Sequence, residues 1–239
     1  MPGMLFTRFL RHYLKKLAGT GALLLFLLLI SVSVFALIFH EVIGEGEVAF
    51  DIRVFGMIAP RISAAGTRFM EAVTFTASAT FLQIAYGLTI GWYLVRRNWL
   101  RCIEIFVIGI GGFAINYFMK LTFHRLRPPN PILEPLHNFS FPSGHATSGF
   151  IFYGLLAYLA WKLKLPRWLR LALAAVLIAW ALLVGFSRIY LRMHFATDVL
   201  AGFCIGASWL GLSILIMQRM KKKATMETGE TEEQAERAQ

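Results

Sequence analysis

Three short stretches hold most of the side chains in this sequence that could do chemistry together. The first runs from Lys120 to Arg127-Pro128, the second is Pro142-Ser143-Gly144-His145, and the third runs from Ser187-Arg188 to His194 and Asp198. Lys120, Arg127 and Arg188 supply fixed positive charge for a phosphoryl group, and each guanidinium can make paired bonds to its oxygens. Pro142-Ser143-Gly144-His145 reads as a helix start. Its opening turn leaves amide N–H groups without intrahelical acceptors, and Gly144 lets the backbone approach a ligand closely. Such a terminus is an anion site in its own right. His194 and Asp198 are four residues apart and share a face if helical, so the carboxylate can hold the imidazole in one tautomer and stabilise its cation. His145 is a second imidazole, available to give a proton to a leaving oxygen.

The elements that must position these residues are membrane helices. The chain of 239 residues is 57% hydrophobic and only 15% charged, whereas a soluble domain carries about a quarter charged residues. Apolar stretches run over residues 21–39, 72–95, 103–119, 147–161, 171–186 and 199–217, several of them near the roughly 20 residues that cross a hydrocarbon core. The expected fold is therefore all-α, a bundle of six transmembrane helices. Residues 1–20 read as an interfacial amphipathic helix, with Leu5, Phe9, Tyr13 and Leu17 on one stripe and Arg8, Arg11, Lys15 and Lys16 elsewhere. Residues 21–219 form the six-span domain, and residues 220–239, rich in Glu, read as a polar disordered tail. The basic start followed by an apolar run resembles a signal peptide. The run is too long, and His40-Glu41-Val42 is no small-residue cleavage site.

A net charge of +11 could mean nucleic acid binding, but the basic residues flank the spans. Placing both termini inside puts fifteen of them on inner segments, among them Arg96, Arg97, Arg101, Lys162, Lys164, Arg167 and Arg170, against eight outside. That bias predicts cytoplasmic termini. All three chemical stretches then fall at the opposite, extracytoplasmic face. From Ile103 to Lys120 a helix rises roughly 26 Å, close to the ~30 Å hydrocarbon core, so Lys120 reaches head-group depth.

Other polar residues have plainer readings. Arg125 and Arg192 read as interfacial anchors, and His40, His124 and His137 as ordinary interface residues. Asn116, one turn before Lys120, reads as an interhelical contact, and Glu104 as a local ion pair with Arg101. The spacing of Gly202 and Gly206 suits close helix packing. Cys102 and Cys204 have no metal or redox spacing and read as free thiols.

The three stretches resemble, in order and internal spacing, the signature motifs of the type 2 phosphatidic acid phosphatase superfamily. That resemblance implies a mechanism. His194 attacks phosphorus to form a phosphohistidine, Asp198 orients it, and His145 protonates the departing lipid oxygen. Lys120, Arg127, Ser143, Gly144 and Arg188 bind the phosphoryl oxygens, and no metal or other cofactor is expected. The expected partners are a membrane lipid phosphate and the bilayer, not nucleic acid. The lipid itself is not readable: phosphatidylglycerophosphate, undecaprenyl diphosphate and phosphatidic acid all present phosphate at head-group depth, and oligomeric state has no signal. Two competing readings are a non-catalytic lipid or anion transporter on the same helices and a vanadate haloperoxidase relative. The haloperoxidases are soluble, and transport residues would line a midplane route instead of one interface.

Overall fold

The computed structural model describes residues 21–22, 24–135 and 138–237. The expected amphipathic helix at residues 1–20, and His137, lie outside the described residues. The chain divides into a large unit, Ser31–Leu210, and a second drawn from its two ends, residues 1–30 and 211–239. The described parts of the second unit are helical. Everything below concerns the large unit unless a helix is named that continues beyond it.

Among the described residues the structure is helical, with no strand. Helix α1 is Leu24–Gly44, widening to a π-helical turn at His40–Gly44. It is followed by α2 (Ala49–Ile58), α3 (Ala64–Phe75), α4 (Ala79–Val95), α5 (Trp99–Phe123), α6 (Gly144–Trp161), α7 (Arg167–Tyr190) and α8 (Ala196–Arg237). Several starts are set by side-chain caps. Ser63, Ser78, Asn98 and Ser143 each accept a hydrogen bond from an amide in the following turn. α2 is a short helix in the connection between α1 and α3.

Among the described residues, four helices are long and apolar enough to cross a membrane: α1, α5, α7 and α8 from Ala196 to Met220. A fifth crossing arises if α3 and α4, bent by 45° at their junction, count as one broken span. The sixth expected span, residues 147–161, falls in α6 and is not among them. The reason is its setting. α6 opens with Gly144, His145, Thr147 and Ser148, and it packs against α5 and most extensively against α7. Half its residues are buried, so its surface is solvated by other helices and need not be apolar. On the outer helices large apolar side chains such as Leu37, Leu88, Ile103 and Phe118 stand exposed, as on helices facing lipid.

Small residues set the distances between helices. A Cβ on Gly202 of α8 would lie 2.9 Å from the Ser143 carbonyl oxygen, and one on Gly206 3.1 Å from that of Thr147. These two glycines let α8 cross the start of α6 with the backbones nearly touching. On α5, Gly111 and Gly112 make room for Trp209, whose indole N–H donates to the Ile108 carbonyl at 2.8 Å. The α3–α4 junction is tied inward at Thr76. Its carbonyl accepts from the Tyr153 hydroxyl at 2.9 Å, and its own hydroxyl accepts from the Trp180 indole at 3.0 Å.

α8 stays helical to Arg237, through the segment expected to be a disordered tail. Residues 220–237 are mostly Lys, Glu, Ala, Gln, Met and Arg, whose helix propensity is high. Arg101 and Glu104 form the expected local ion pair, and both cysteines are free.

Candidate active site

Four connections meet at one end of the large unit: the segment after α1, the α5–α6 loop, the start of α6 and the α7–α8 turn. His194 lies in that last turn. A tight reversal brings it there, with the Met193 and His194 amides both donating to the Arg188 carbonyl. The His194 side chain is 2% exposed and its two ring nitrogens face different chemistry. Nδ1 lies 3.5 Å from Asp198 Oδ2 and 3.3 Å from Ser140 Oγ. Nε2 lies 3.2 Å from Nη1 of Arg127. A guanidinium only donates, so Nε2 carries the lone pair and Nδ1 carries the hydrogen, directed at the carboxylate. Burial pushes the His194 imidazole down to about 3, a shift that the hydrogen bond and charge of Asp198 only partly oppose. The ring is neutral at physiological pH.

Asp198 is fully buried on the first turn of α8. Its Oδ2 accepts from the Ser140 hydroxyl and from the Phe195 amide at 2.9 Å, and its Oδ1 accepts from Arg125 Nη1. Its backbone carbonyl accepts from the Ser143 amide at 3.0 Å, pinning the start of α8 to the start of α6.

The positive charges converge on the same place. Arg127 donates to the Met193 carbonyl at 2.6 Å, and to the carbonyl and side chain of Asn138, so its guanidinium is held over His194. Lys120, in the last turn of α5, donates to the Phe139 carbonyl at 2.7 Å. Arg188, near the end of α7, is 3% exposed and donates through Nη1 to Thr74 Oγ1, while its buried Nε has no hydrogen-bond partner among the described residues. His145 sits in the combined field of Arg188, His194, Arg127 and Lys120. At the α6 terminus, Ser143 Oγ caps the Ala146 amide at a long 3.4 Å, and the Gly144 and His145 amides have no acceptor within the helix. The Ser143 amide is committed to Asp198, so what that residue offers a ligand is its hydroxyl. All eight residues singled out in the sequence (Lys120, Arg127, Ser143, Gly144, His145, Arg188, His194 and Asp198) are thus brought together.

Sequence reasoning missed others. Ser140, fully buried, bridges Asp198 and His194; its place two residues before Pro142 was the available signal. Asp51 of α2, 1% exposed, accepts from Arg125 Nη2 at 2.8 Å and from the Thr197 amide and hydroxyl. A lone acid in the apolar run Val48-Ala49-Phe50-Asp51-Ile52 was its only mark. Arg125 is no interfacial anchor: its side chain is 9% exposed, paired with both Asp51 and Asp198, and stacked 4.2 Å over the Phe195 ring. Arg192 instead lies over Phe55. Asn116 makes the expected interhelical contact, donating to Thr147 Oγ1 at 3.2 Å, with its oxygen beside Gly144. Among the described residues no three His, Cys, Asp or Glu side chains are grouped as metal ligands. The arrangement suits an anion: a neutral imidazole whose Nε2 lone pair faces Arg127, with other cations and helix-end amides nearby.

Comparisons with known proteins converge on one family. The model of the PAP2 superfamily matches residues 100–222. The chain is 34% identical over 140 residues to phosphatidylglycerophosphatase B of Bacillus subtilis, spanning 57% of this chain and 68% of that protein. It is 28% identical over 190 residues to undecaprenyl-diphosphatase of Sulfolobus acidocaldarius, spanning 72% of this chain and 81% of the relative. Among solved structures, a transmembrane PAP2-type phosphatidylglycerolphosphate phosphatase from Bacillus subtilis superposes with a TM-score of 0.69 at 26% identity, over 82% of this chain and 96% of that one. Aquifex aeolicus LpxE shares the fold, with a TM-score of 0.57 at 22% identity.

Proposed function

The chain belongs to the PAP2 superfamily of membrane lipid phosphatases, and from that premise we propose that it hydrolyses a lipid phosphomonoester or diphosphate through a phosphohistidine at His194. The observation that carries this reading is the opposed surroundings of the His194 ring, Nδ1 toward Asp198 and Nε2 toward the cations. Nε2 attacks phosphorus in line with the bond to the lipid oxygen. As the N–P bond forms, positive charge grows on the ring, and Asp198 opposite Nδ1 stabilises it. Lys120, Arg127, Arg188, the Ser143 hydroxyl and the Gly144 amide bind the three phosphoryl oxygens. Phosphoryl transfer depends mainly on such positioning and charge. His145 gives its proton to the lipid oxygen as the P–O bond breaks, then takes one from the water that cleaves the N–P bond and frees phosphate.

The same premise supports a multi-pass protein with six spans, α6 included, cytoplasmic termini and an extracytoplasmic site. Helix continuity places Arg96, Arg97 and Arg101, and Lys162 to Arg170, at the far ends of α5, α6 and α7 from His194. Phosphatidylglycerophosphate and undecaprenyl diphosphate are the leading substrates, since the relatives named above act on these two. The reaction is metal-independent in this mechanism, because every charge it needs comes from side chains.

The test is phosphate release by the purified protein in detergent with EDTA present, across phosphatidylglycerophosphate, undecaprenyl diphosphate and phosphatidic acid. Release that survives EDTA and vanishes in His194→Ala supports the mechanism. Turnover that persists in the double variant His194→Ala/His145→Ala would sink it.

A further inference from the structure

Resting on the phosphatase reading, we propose that Asp51 and Arg125 are positioning residues for the reaction, acting on His194 through Asp198. The three side chains form a continuous buried chain of alternating charge. Arg125 joins Asp51 Oδ2 at 2.8 Å through Nη2 and Asp198 Oδ1 through Nη1, with both carboxylates wholly enclosed. Thr197 closes the arrangement. Its amide donates to Asp51 Oδ1 at 2.9 Å, its hydroxyl donates to Asp51 Oδ2 at 2.7 Å, and the same hydroxyl accepts from Arg125 at 2.8 Å.

This explains why a motif with two arginines uses them so differently. Arg127 faces His194 Nε2, where phosphorus arrives. Arg125 is instead held by two carboxylates, the Thr197 hydroxyl and the Phe195 ring. Its effect is on Asp198. By taking Oδ1, it leaves Oδ2 as the oxygen that meets His194, and it fixes the plane of the carboxylate. Asp51 in turn fixes Arg125, and it does so from α2, an element outside the three motif stretches. Without the Asp51 charge, the Nη2 edge of Arg125 loses its charged acceptor, and its hold on Asp198 loosens. The anion-binding set of Lys120, Arg127, Arg188 and the α6 terminus does not pass through Asp51.

The chain of contacts therefore predicts a split between chemistry and binding. In the full-length protein in detergent, with the lipid that the unaltered protein hydrolyses, Asp51→Asn lowers kcat about ten- to hundredfold, the usual range for partners that orient a reactive group. KM and the Ki for inorganic phosphate stay within about threefold, because the anion ligands are untouched. Arg125→Lys keeps a charge but not the fork, and retains more kcat than Arg125→Met. Should Asp51→Asn fail to fold, the Arg125 pair carries the same test. A second readout does not need turnover: the ring-nitrogen NMR shifts of His194 report its tautomer, single in the unaltered protein and mixed in Asp51→Asn or Arg125→Met. An unchanged kcat, or a loss in which KM, phosphate Ki and thermal stability move in step with kcat, overturns the proposal. So does an unchanged His194 tautomer. A protein that hydrolyses none of the lipids, yet shows the tautomer change, would instead count against the phosphatase reading alone.

Discussion

Arg188 donates through Nη1 to the hydroxyl of Thr74 at 2.8 Å, and that single bond sets the direction of a guanidinium whose buried Nε has no other partner among the described residues. A desolvated donor without an acceptor costs about 1–3 kcal/mol; on the mechanism proposed above, a phosphoryl oxygen would remove that cost. Arg188→Ala is therefore expected to lower kcat/KM by about two to three orders of magnitude. Thr74→Val, which frees the guanidinium but leaves its charge, is expected to lower it about tenfold, mostly through KM. Steady-state phosphate release from both variants checks the order.

The depressed His194 has a consequence for stability. Its folded value is about 3, against an ordinary 6.5, so between those two values the unfolded chain binds a proton that the folded chain refuses. Stability is then complete above about pH 6.5 and declines as pH falls toward 3. Thermal unfolding midpoints in detergent should fall on acidification across this window, and His194→Gln should flatten the dependence. A dependence equally steep in the variant would place its origin elsewhere.

Ser140 joins Oδ2 of Asp198 to Nδ1 of His194. Ser140→Ala deletes this bridge without opening a large cavity, since one hydroxyl is lost from a fully buried site. Expected is a fall in kcat of about tenfold with KM little changed, and slower formation of the phosphohistidine in single-turnover quench experiments.

At Gly202 the backbones of α8 and α6 cross closely. A methyl group there would meet the Ser143 carbonyl oxygen at 2.9 Å and the Ala146 side chain at 3.0 Å, and backbone cannot swing aside. Gly202→Ala should cost about 1–3 kcal/mol of stability and displace Asp198 from Ser143, lowering activity as well. Gly211→Ala, where nothing lies within 4 Å, is the control and should be neutral. Unfolding midpoints and phosphate release together distinguish the two.

The eight site residues were legible because each stands at a helix end or in the turn beside one, where its chemistry shows in a local pattern of a few residues. Ser143 caps, Gly144 follows, and His194 and Asp198 keep a helical interval. Thr74, Asp51 and the true role of Arg125 were not legible, for a physical reason. Thr74 meets Arg188 across 114 residues and Asp51 meets Thr197 across 146, and no periodicity joins such positions. Arg125 shows the cost of local reading. Basic residues beside a span usually anchor it, and only burial against Asp51 and Asp198 reveals otherwise. Of the six expected spans, four are single helices long and apolar enough to cross a membrane, and the other two show less plainly. Hydropathy judges a helix by its own residues, whereas α6 is solvated by α5, α7 and α8, and the α3–α4 bend breaks one crossing into two short helices.

The polarity of α6 reaches past catalysis to biogenesis. The opening turn of α6, with Gly144, His145, Thr147 and Ser148, is less favourable in lipid than the apolar turns that follow it. It is retained best once α5 and α7 are there to receive it. The chain order then imposes a schedule: Lys120 and Arg127 are made first, the α6 turn next, Arg188 after it, and His194 with Asp198 last. On the mechanism proposed above, a nascent chain would hold the cations and the α6 turn before it holds His194, so activity would begin only when α8 docks across the glycines.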